Sequence, residues 1–171
     1  GVLLDDALAR AAVAATEAEQ KRLAARTAEV TEGDVESTRQ VAALLAHIAE
    51  HYDLELPDMR AATVERALAT ADLPPEVAEL LLIRSQASRS SAAKYKVAMT
   101  STVAGRLHGA LQYCGAARTG RWAGRRFQPQ NMPRPKLKQH EIDLGIEALK
   151  EGCADLVTDN VMELAASAVR G

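Results

Sequence analysis

The amino-acid sequence predicts a mainly α-helical protein with a small antiparallel β element, of the α+β class. Its 171 residues are about the size of one ordinary domain. Hydrophobic residues make up 47% of the chain, but only 3% of residues are aromatic, and many of the others are alanines. This composition favours helices packed through small and aliphatic side chains. Helical spacing covers most of the chain, and one short stretch alternates with the period of a strand.

The first half of the chain predicts three helices. Residues 3–30 form a long one, with Asp5 and Asp6 in its first turn, where the helix dipole favours negative charge. A second helix has Ser37 and Thr38 as its capping residues. Its apolar positions 41, 44, 45 and 48 form one stripe that needs a partner. A short helix is predicted over residues 61–69.

A fourth helix begins at Pro74 and Pro75, because proline is compatible with the first helical turn. It is predicted to continue as far as Lys96, apolar at first and basic from Arg84 onward. Small residues separate its cations, so that a nucleic-acid strand could approach the backbone closely.

The spacing of apolar residues changes from a helical to a two-residue period at residues 105–113. Arg106, His108 and Gln112 alternate there with apolar residues, which predicts a strand that buries Leu107, Leu111 and Tyr113 on one face. Three glycines and three prolines in residues 114–139 predict strand and irregular chain. Helical spacing returns in residues 141–149 and 155–169.

Composition excludes several classes of protein. The chain has no apolar run of 18 residues and no basic segment followed by an apolar one at its N-terminus, so we expect no membrane contact and a cytoplasmic location. Cys114 and Cys153 are 39 positions apart without metal-ligand spacing and are predicted to be small buried residues. Trp122 is predicted to be a core residue.

The net charge of −2 conceals a strong segregation of charge along the chain. Residues 80–140 contain no aspartate or glutamate, whereas the other 110 residues hold 9 basic and all 23 acidic residues. The 12 basic residues of this acid-free block are Arg84, Arg89, Lys94, Lys96, Arg106, Arg118, Arg121, Arg125, Arg126, Arg134, Lys136 and Lys138. A polyphosphate backbone is the natural partner for such a block, and a solvated surface that balances acidic neighbours is the alternative.

No catalytic machinery is visible. The acid-free block has no carboxylates for a two-metal site, no phosphate-binding GxxxxGK[ST] loop occurs, and the four histidines show no ligand spacing. We therefore expect no catalytic residue, no metal site and no cofactor bound by this chain.

Two motifs nevertheless indicate a family. TGRWAG at residues 119–124, followed by QPQNMP at residues 128–133, resembles the T-G-R and Q-N-[apolar]-P elements of the family A DNA polymerases, especially their bacteriophage-type branch. GVLLD resembles the turn into the first thumb helix of the family, and STRQVAALLA and SSAAKYK resemble later thumb helices. DNVMELAASAVRG resembles the helix that precedes the catalytic motif of the palm. Trp122 to Gly124 differ from the leucine and serines of many cellular members, and Gln128 replaces a frequent asparagine.

The resemblance implies a role in DNA replication for specific residues. Arg121 would hydrogen-bond the minor-groove side of the primer terminus, and Gln130 and Asn131 would contact primer-template DNA near the active site. The further DNA-binding candidates are Thr119, Gln128, Arg118, Arg125, Arg126, Arg84, Arg89, Lys94 and Lys96, the last four facing phosphates from the thumb.

The same resemblance divides the chain into a thumb-like helical subdomain, residues 1–104, and the first part of the palm, residues 105–171. Because the chain stops where the family enters the strand with its first metal-binding aspartate, we expect an inactive fragment of a polymerase found in a bacterium or a phage-infected cell. The complete enzyme, a nucleotidyltransferase, would use Mg²⁺, and the partners would be duplex primer-template and the remaining palm and fingers. The alternatives are a complete nucleic-acid-binding module and a helical scaffold that binds an acidic protein.

Overall fold

The computed structural model describes residues 1–69, 72–88, 91–128, 132 and 134–169, and for residues 91 and 92 their secondary structure alone. It confirms the predicted fold class, mainly α with small antiparallel sheets. The helices of the described residues are α1 (Asp6–Val30), α2 (Val41–Tyr52), α3 (Ala61–Leu68), α4 (Pro75–Ala87), α5 (Ser91–Thr100), α6 (Gln139–Glu151) and α7 (Val161–Ala168). The strands are β1 (Val2–Leu3), β2 (Thr102–Val103), β3 (Arg106–Leu107), β4 (Leu111–Ala116) and β5 (Arg121–Gly124).

The chain forms two compact units. The helical unit is Ala18–Arg89, and the hairpin unit combines Gly1–Glu17 with Ser90–Gly171. Helix α1 contributes residues to both units. The boundary predicted between residues 104 and 105 separates the thumb of a polymerase from its palm, and it stays a prediction.

The helical unit is built around an aliphatic core. Pro75 lies in the first turn of α4, as predicted, and α2 begins after Gln40 instead of a serine or threonine cap. The Gln40 side-chain oxygen accepts hydrogen bonds from the amides of Glu36 and Ser37, which closes the preceding turn. The fully buried core side chains are Val35, Leu44, Ile48, Val64, Val77, Leu80 and Leu81.

The predicted single helix from Pro75 to Lys96 is wrong. Helix α4 ends at Ala87, and a separate helix α5 begins at Ser91. The Ser88 hydroxyl donates to the carbonyl of Ser85 at 2.9 Å. Serine side chains that bond to nearby backbone in this way compete with continued helix, which explains the break in this serine-rich sequence.

The hairpin unit buries helices α5 and α7 against each other. Tyr95 of α5 is 3% exposed, and its hydroxyl donates to the carbonyl of Ala165 at 2.9 Å. Burial raises the pKa of Tyr95, so the phenol stays a neutral donor. Ala9 and Ala12 of α1 complete this small-residue cluster. Strands β1 and β2 both pair antiparallel with β3, through Val2 and Thr102 opposite Leu107.

The last predicted helix, residues 155–169, is also shorter in the structure. A 3₁₀ turn covers Ala154–Leu156, and α7 starts only at Val161. The Asn160 side chain accepts from the Glu163 amide at 2.9 Å and so fixes the helix start. Helix α6 agrees with prediction, extended by two residues at each end.

Gly145 of α6 makes the contact with α7 possible. A Cβ atom at this position would overlap with Cδ1 of Leu164, which is 1% exposed. We expect Gly145→Ala to lower the free energy of unfolding by about 2 kcal/mol, because the overlap outweighs the ~1 kcal/mol gained from helix propensity. Urea denaturation will measure this change in the free energy of unfolding. As a control, Ala46→Gly at an exposed position of α2 should show the effect of helix propensity alone. Stabilisation by Gly145→Ala would contradict this packing.

Among the described residues, none of the helices has the length and apolar character needed to cross a bilayer.

Candidate nucleic-acid interface

The acid-free block places many exposed cations on the hairpin unit. Residues 90–140 carry ten lysines and arginines without a carboxylate. Those that the structure shows exposed are Lys96, Arg106, Arg118, Arg121, Arg125, Arg126, Arg134, Lys136 and Lys138. These charges therefore face solvent, where they could meet a polyanion.

Strands β4 and β5 form a hairpin that carries the first half of the motif. Leu111 pairs with Gly124, and Ala116 pairs with Arg121. At the turn, the amides of Thr119 and Gly120 both donate to the carbonyl of Ala116, at 3.0 and 2.9 Å. Gly120 has a φ of 63°, a left-handed conformation that glycine adopts at little cost. The turn thus holds Thr119 in solvent and places Arg121 at the start of β5.

The hairpin contains a bulge next to this turn. Gln112 pairs with Ala123 and Ala116 with Arg121, so β4 has two more residues than β5 between these pairs. Cys114 adopts a positive φ of 49° there. A Cβ atom on Gly115 would lie 2.7 Å from that of Ala123, so the close approach of the strands requires glycine. The bulge lets the two strands close on each other within one short turn.

Exposed aromatic rings stand beside the arginines of the hairpin. Tyr113 is 71% and Trp122 is 61% exposed, and their ring centroids lie 5.2 Å apart in an edge-on arrangement. The prediction of Trp122 as a core residue is therefore wrong. Of the three residues predicted to be buried on one face of a strand, Leu107 is buried, whereas Leu111 and Tyr113 are exposed. The strand does not continue, because the chain turns at Gly109 with a φ of 64° and β4 begins a new sheet. Exposed rings next to cations can stack on bases.

The two cysteines also differ from prediction. Cys114 is exposed at the bulge, and Cys153 is half-buried. Cys114 lies in the two-stranded sheet of β4 and β5, which leaves its side chain exposed.

Arg125 and Arg126 continue the basic sequence beyond β5. The Arg125 amide donates to the carbonyl of Ala110 at 2.8 Å, and its Nε donates to the Gln112 side-chain oxygen at 2.6 Å. This bond orients the guanidinium of an exposed side chain. Arg126 has a positive φ of 56°. Within the part of the chain that the structure describes, Arg118, Arg121, Arg125 and Arg126 make no ion pair.

Helix α5 brings two further candidates into the hairpin unit. Lys94 lines a cavity of about 270 Å³ together with Arg126, Phe127 and Gln128. Lys96 is exposed and pairs with Glu17 through an Nζ to Oε1 distance of 2.6 Å. Exposed pairs of this kind contribute about 0–1 kcal/mol, so a phosphate could replace the carboxylate.

The remaining candidates are Arg84, Arg89, Gln130 and Asn131. Arg84 lies in the helical unit, where it is half-buried and its Nε has no hydrogen-bond partner among the described residues. Arg89, Gln130 and Asn131, the last two belonging to the QNMP motif, lie outside the described residues. The roles predicted for all these residues stay predictions.

The sequence analysis missed a cluster in the helical unit. Asp34, His47 and His51 place their ligand atoms within 4.8 Å of one another. The available signal was the i, i+4 spacing of the two histidines on a predicted helix, where such residues share a face. The position of Asp34 beside them depends on the α1–α2 connection and has no comparable sequence signal.

The chain is similar to part of a DNA polymerase of Bacillus phage SP02. The two sequences are 32% identical over 155 residues, which cover 89% of this chain and 23% of that protein. The chain is related to a DNA polymerase. It spans less than a quarter of the polymerase that it matches. No protein-family model matches the chain. No solved structure matches it either. The polymerase relationship inferred from the motifs is thus confirmed, while family A and the thumb and palm assignments stay predictions.

Proposed function

We propose that this chain is the primer-template-binding part of a DNA-directed DNA polymerase of family A, bacteriophage-type branch, acting in DNA replication. The observation that carries the proposal is the β4–β5 hairpin. It presents the motif arginine Arg121, exposed cations on either side of it and an exposed aromatic pair. In this assignment residues 1–104 belong to the thumb and residues 105–171 to the first part of the palm.

Two kinds of contact follow from this hairpin. Exposed guanidinium groups bind phosphate oxygens through charge-assisted hydrogen bonds, and they also donate to acceptors on base edges. The Tyr113 and Trp122 rings offer faces or edges to unpaired or terminal bases. A primer-template junction presents both phosphates and a terminal base pair, so it matches the hairpin better than uniform duplex does.

Arg121 is the proposed sensor of the primer terminus. Its side chain is exposed at the first position of β5, held there by the pairing with Ala116. From that strand a guanidinium can reach acceptors in a minor groove, and Thr119, Arg118 and Arg125 would contact neighbouring phosphates. Lys94 and Lys96 of α5 would supply further phosphate contacts.

Nucleotidyl transfer, by contrast, is not assigned to the described residues. Their one cluster of three possible metal ligands contains two imidazoles, whereas Mg²⁺ prefers oxygen ligands. This cluster therefore does not fit Mg²⁺, and we assign the metal and the chemistry to other parts of the polymerase, the remaining palm and fingers.

The test is binding of fluorescent primer-template DNA to the 171-residue chain, measured by anisotropy at increasing salt. Release of counterions predicts a linear fall of log K with log salt concentration, with a slope of about −0.9 for each phosphate neutralised. With four to six phosphates contacted, we expect a slope of roughly −4 to −5. A recessed 3′ end should bind more tightly than a blunt duplex of equal length.

Two results would contradict the proposal in different ways. Equal affinity for recessed and blunt ends would leave a nucleic-acid-binding module without a primer-terminus site. Binding to polyglutamate at least as tight as to DNA would indicate an acidic protein as the partner.

A further inference from the structure

The helical unit contains a cluster of metal-ligand type. His47 Nδ1 lies 2.9 Å from Asp34 Oδ2, and His51 Nε2 lies 3.4 Å from the same oxygen. The two imidazole centroids are 4.4 Å apart. One carboxylate oxygen and two imidazole nitrogens therefore converge on a single point beside helix α2.

Helix α2 places the two histidines together. His47 and His51 are one turn apart, so both side chains leave the helix on the same side. His47 is 7% exposed and stands beside the core residues Leu44 and Ile48, whereas His51 is 54% exposed. The pair thus lies at the edge of the core, with one ring fixed by packing and the other open to solvent.

The end of α1 holds Asp34 in position. Gly33 adopts a φ of 96°, and its amide donates to the carbonyl of Ala28 at 2.8 Å, which terminates the helix. The next residue, Val35, is fully buried, and its amide donates to the Thr31 hydroxyl at 3.1 Å. The backbone of Asp34 is therefore anchored on both sides.

We propose that Asp34, His47 and His51 bind a divalent transition-metal ion, zinc in the first place. Two imidazoles and one carboxylate are ligands that zinc accepts in three-ligand sites with a fourth, open position. Zinc bonds of about 2.0–2.1 Å at tetrahedral angles separate ligand atoms by about 3.3 Å. The observed 2.9 and 3.4 Å from the two imidazole nitrogens to Asp34 Oδ2 are close to that separation, and all three ligand atoms lie within 4.8 Å of one another.

The surroundings leave room for the fourth ligand. A cavity of about 260 Å³ adjoins the cluster and is lined by Val30, Glu32 and Tyr52 as well as the three ligands. A water molecule can occupy the open position there, beside the carboxylate of Glu32. On binding, the hydrogen bond between His47 and Asp34 is exchanged for two bonds to the ion, with the His47 proton on Nε2 or released to solvent.

The bound ion would join the end of α1 to α2. Because it binds the folded unit and not the unfolded chain, it raises the stability of the folded unit with increasing free metal. This site lies in a different unit from the hairpin, so its test is independent of the proposed function.

The test is calorimetric titration of the metal-free chain with ZnCl₂, accompanied by absorption spectra with Co²⁺. We expect one Zn²⁺ per chain, a d–d spectrum of low-coordinate Co²⁺, and a rise in Tm with zinc but not with Mg²⁺ or Ca²⁺. His51→Gln and Asp34→Asn should each weaken zinc binding at least tenfold. His140→Gln, which changes an exposed histidine of α6, is the matched control and should bind as the wild type does.

His51→Gln is chosen over a His47 variant because the exposed ring can be replaced without opening the core. Zinc binding that survives both His51→Gln and Asp34→Asn would overturn the proposal. So would the absence of any Tm change at saturating zinc. A thiolate-to-cobalt charge-transfer band would place the ion on Cys114 or Cys153 and equally overturn it.

Discussion

Replacing Tyr113 and Trp122 together by alanine should weaken binding of primer-template DNA by about 1–3 kcal/mol for each base that stacks on them. The physical reason is the loss of exposed ring surface on which a terminal base can lie. Anisotropy titration of the double variant against the wild type, at one fixed salt concentration, measures the effect. The slope of affinity against salt should stay unchanged, because no cation is removed.

The same double variant should fold as the wild type does. Both rings are more than half exposed, so their truncation removes little buried surface. Leu156→Ala is the matched control, since Leu156 is 82% exposed and lies outside the hairpin. Equal binding by the double variant and by wild type, with circular dichroism showing both folded, would exclude the rings from the interface.

Arg121→Ala should weaken primer-template binding by about 1.5–3 kcal/mol, the value of a hydrogen bond from a charged group. Arg10→Ala provides the control, because Arg10 is also exposed and pairs with Asp6 at 2.8 Å in an acidic region. Both variants lose one positive charge. A difference between them therefore reports the position of Arg121, and equal losses would count against its assignment.

The salt dependence of the Arg121→Ala variant identifies the group that is contacted. Loss of a phosphate contact lowers the magnitude of the salt slope by about 1 for every sequence tested. Loss of a contact to the terminal base pair leaves the slope unchanged and reduces the preference for recessed ends. We expect the second pattern.

The sequence predicted those features that depend on regular spacing. The apolar stripe of α2 and the prolines at the start of α4 are local sequence patterns, and the structure confirmed both. The hairpin was less predictable, because alternation in residues 105–113 has the period of a strand even though Gly109 turns the chain in the middle of it. The break before α5 likewise depends on a serine hydroxyl that bonds locally, which periodicity does not detect.

The candidate sites were likewise predictable from the sequence only in part. Charge segregation identified the exposed cations, since charge is a property of composition that folding rarely hides. Trp122 was misplaced because an aromatic residue is usually buried, and its exposure follows from a two-stranded sheet that no further strand or helix of the described residues covers at this ring. The Asp34 cluster joins a helix end to the next helix, and only the three-dimensional structure shows which carboxylate reaches His47.

The exposed thiol of Cys114 at the bulge makes the hairpin accessible to site-specific chemical labelling. Cys114 is accessible between Tyr113 and Gly115, while Cys153 is half-buried, so a maleimide dye at limiting concentration should attach first to Cys114. Attachment of a neutral dye to Cys114 leaves every cation of the hairpin in place. Fluorescence from that position would report occupancy of the hairpin directly, in real time and without a labelled nucleic acid.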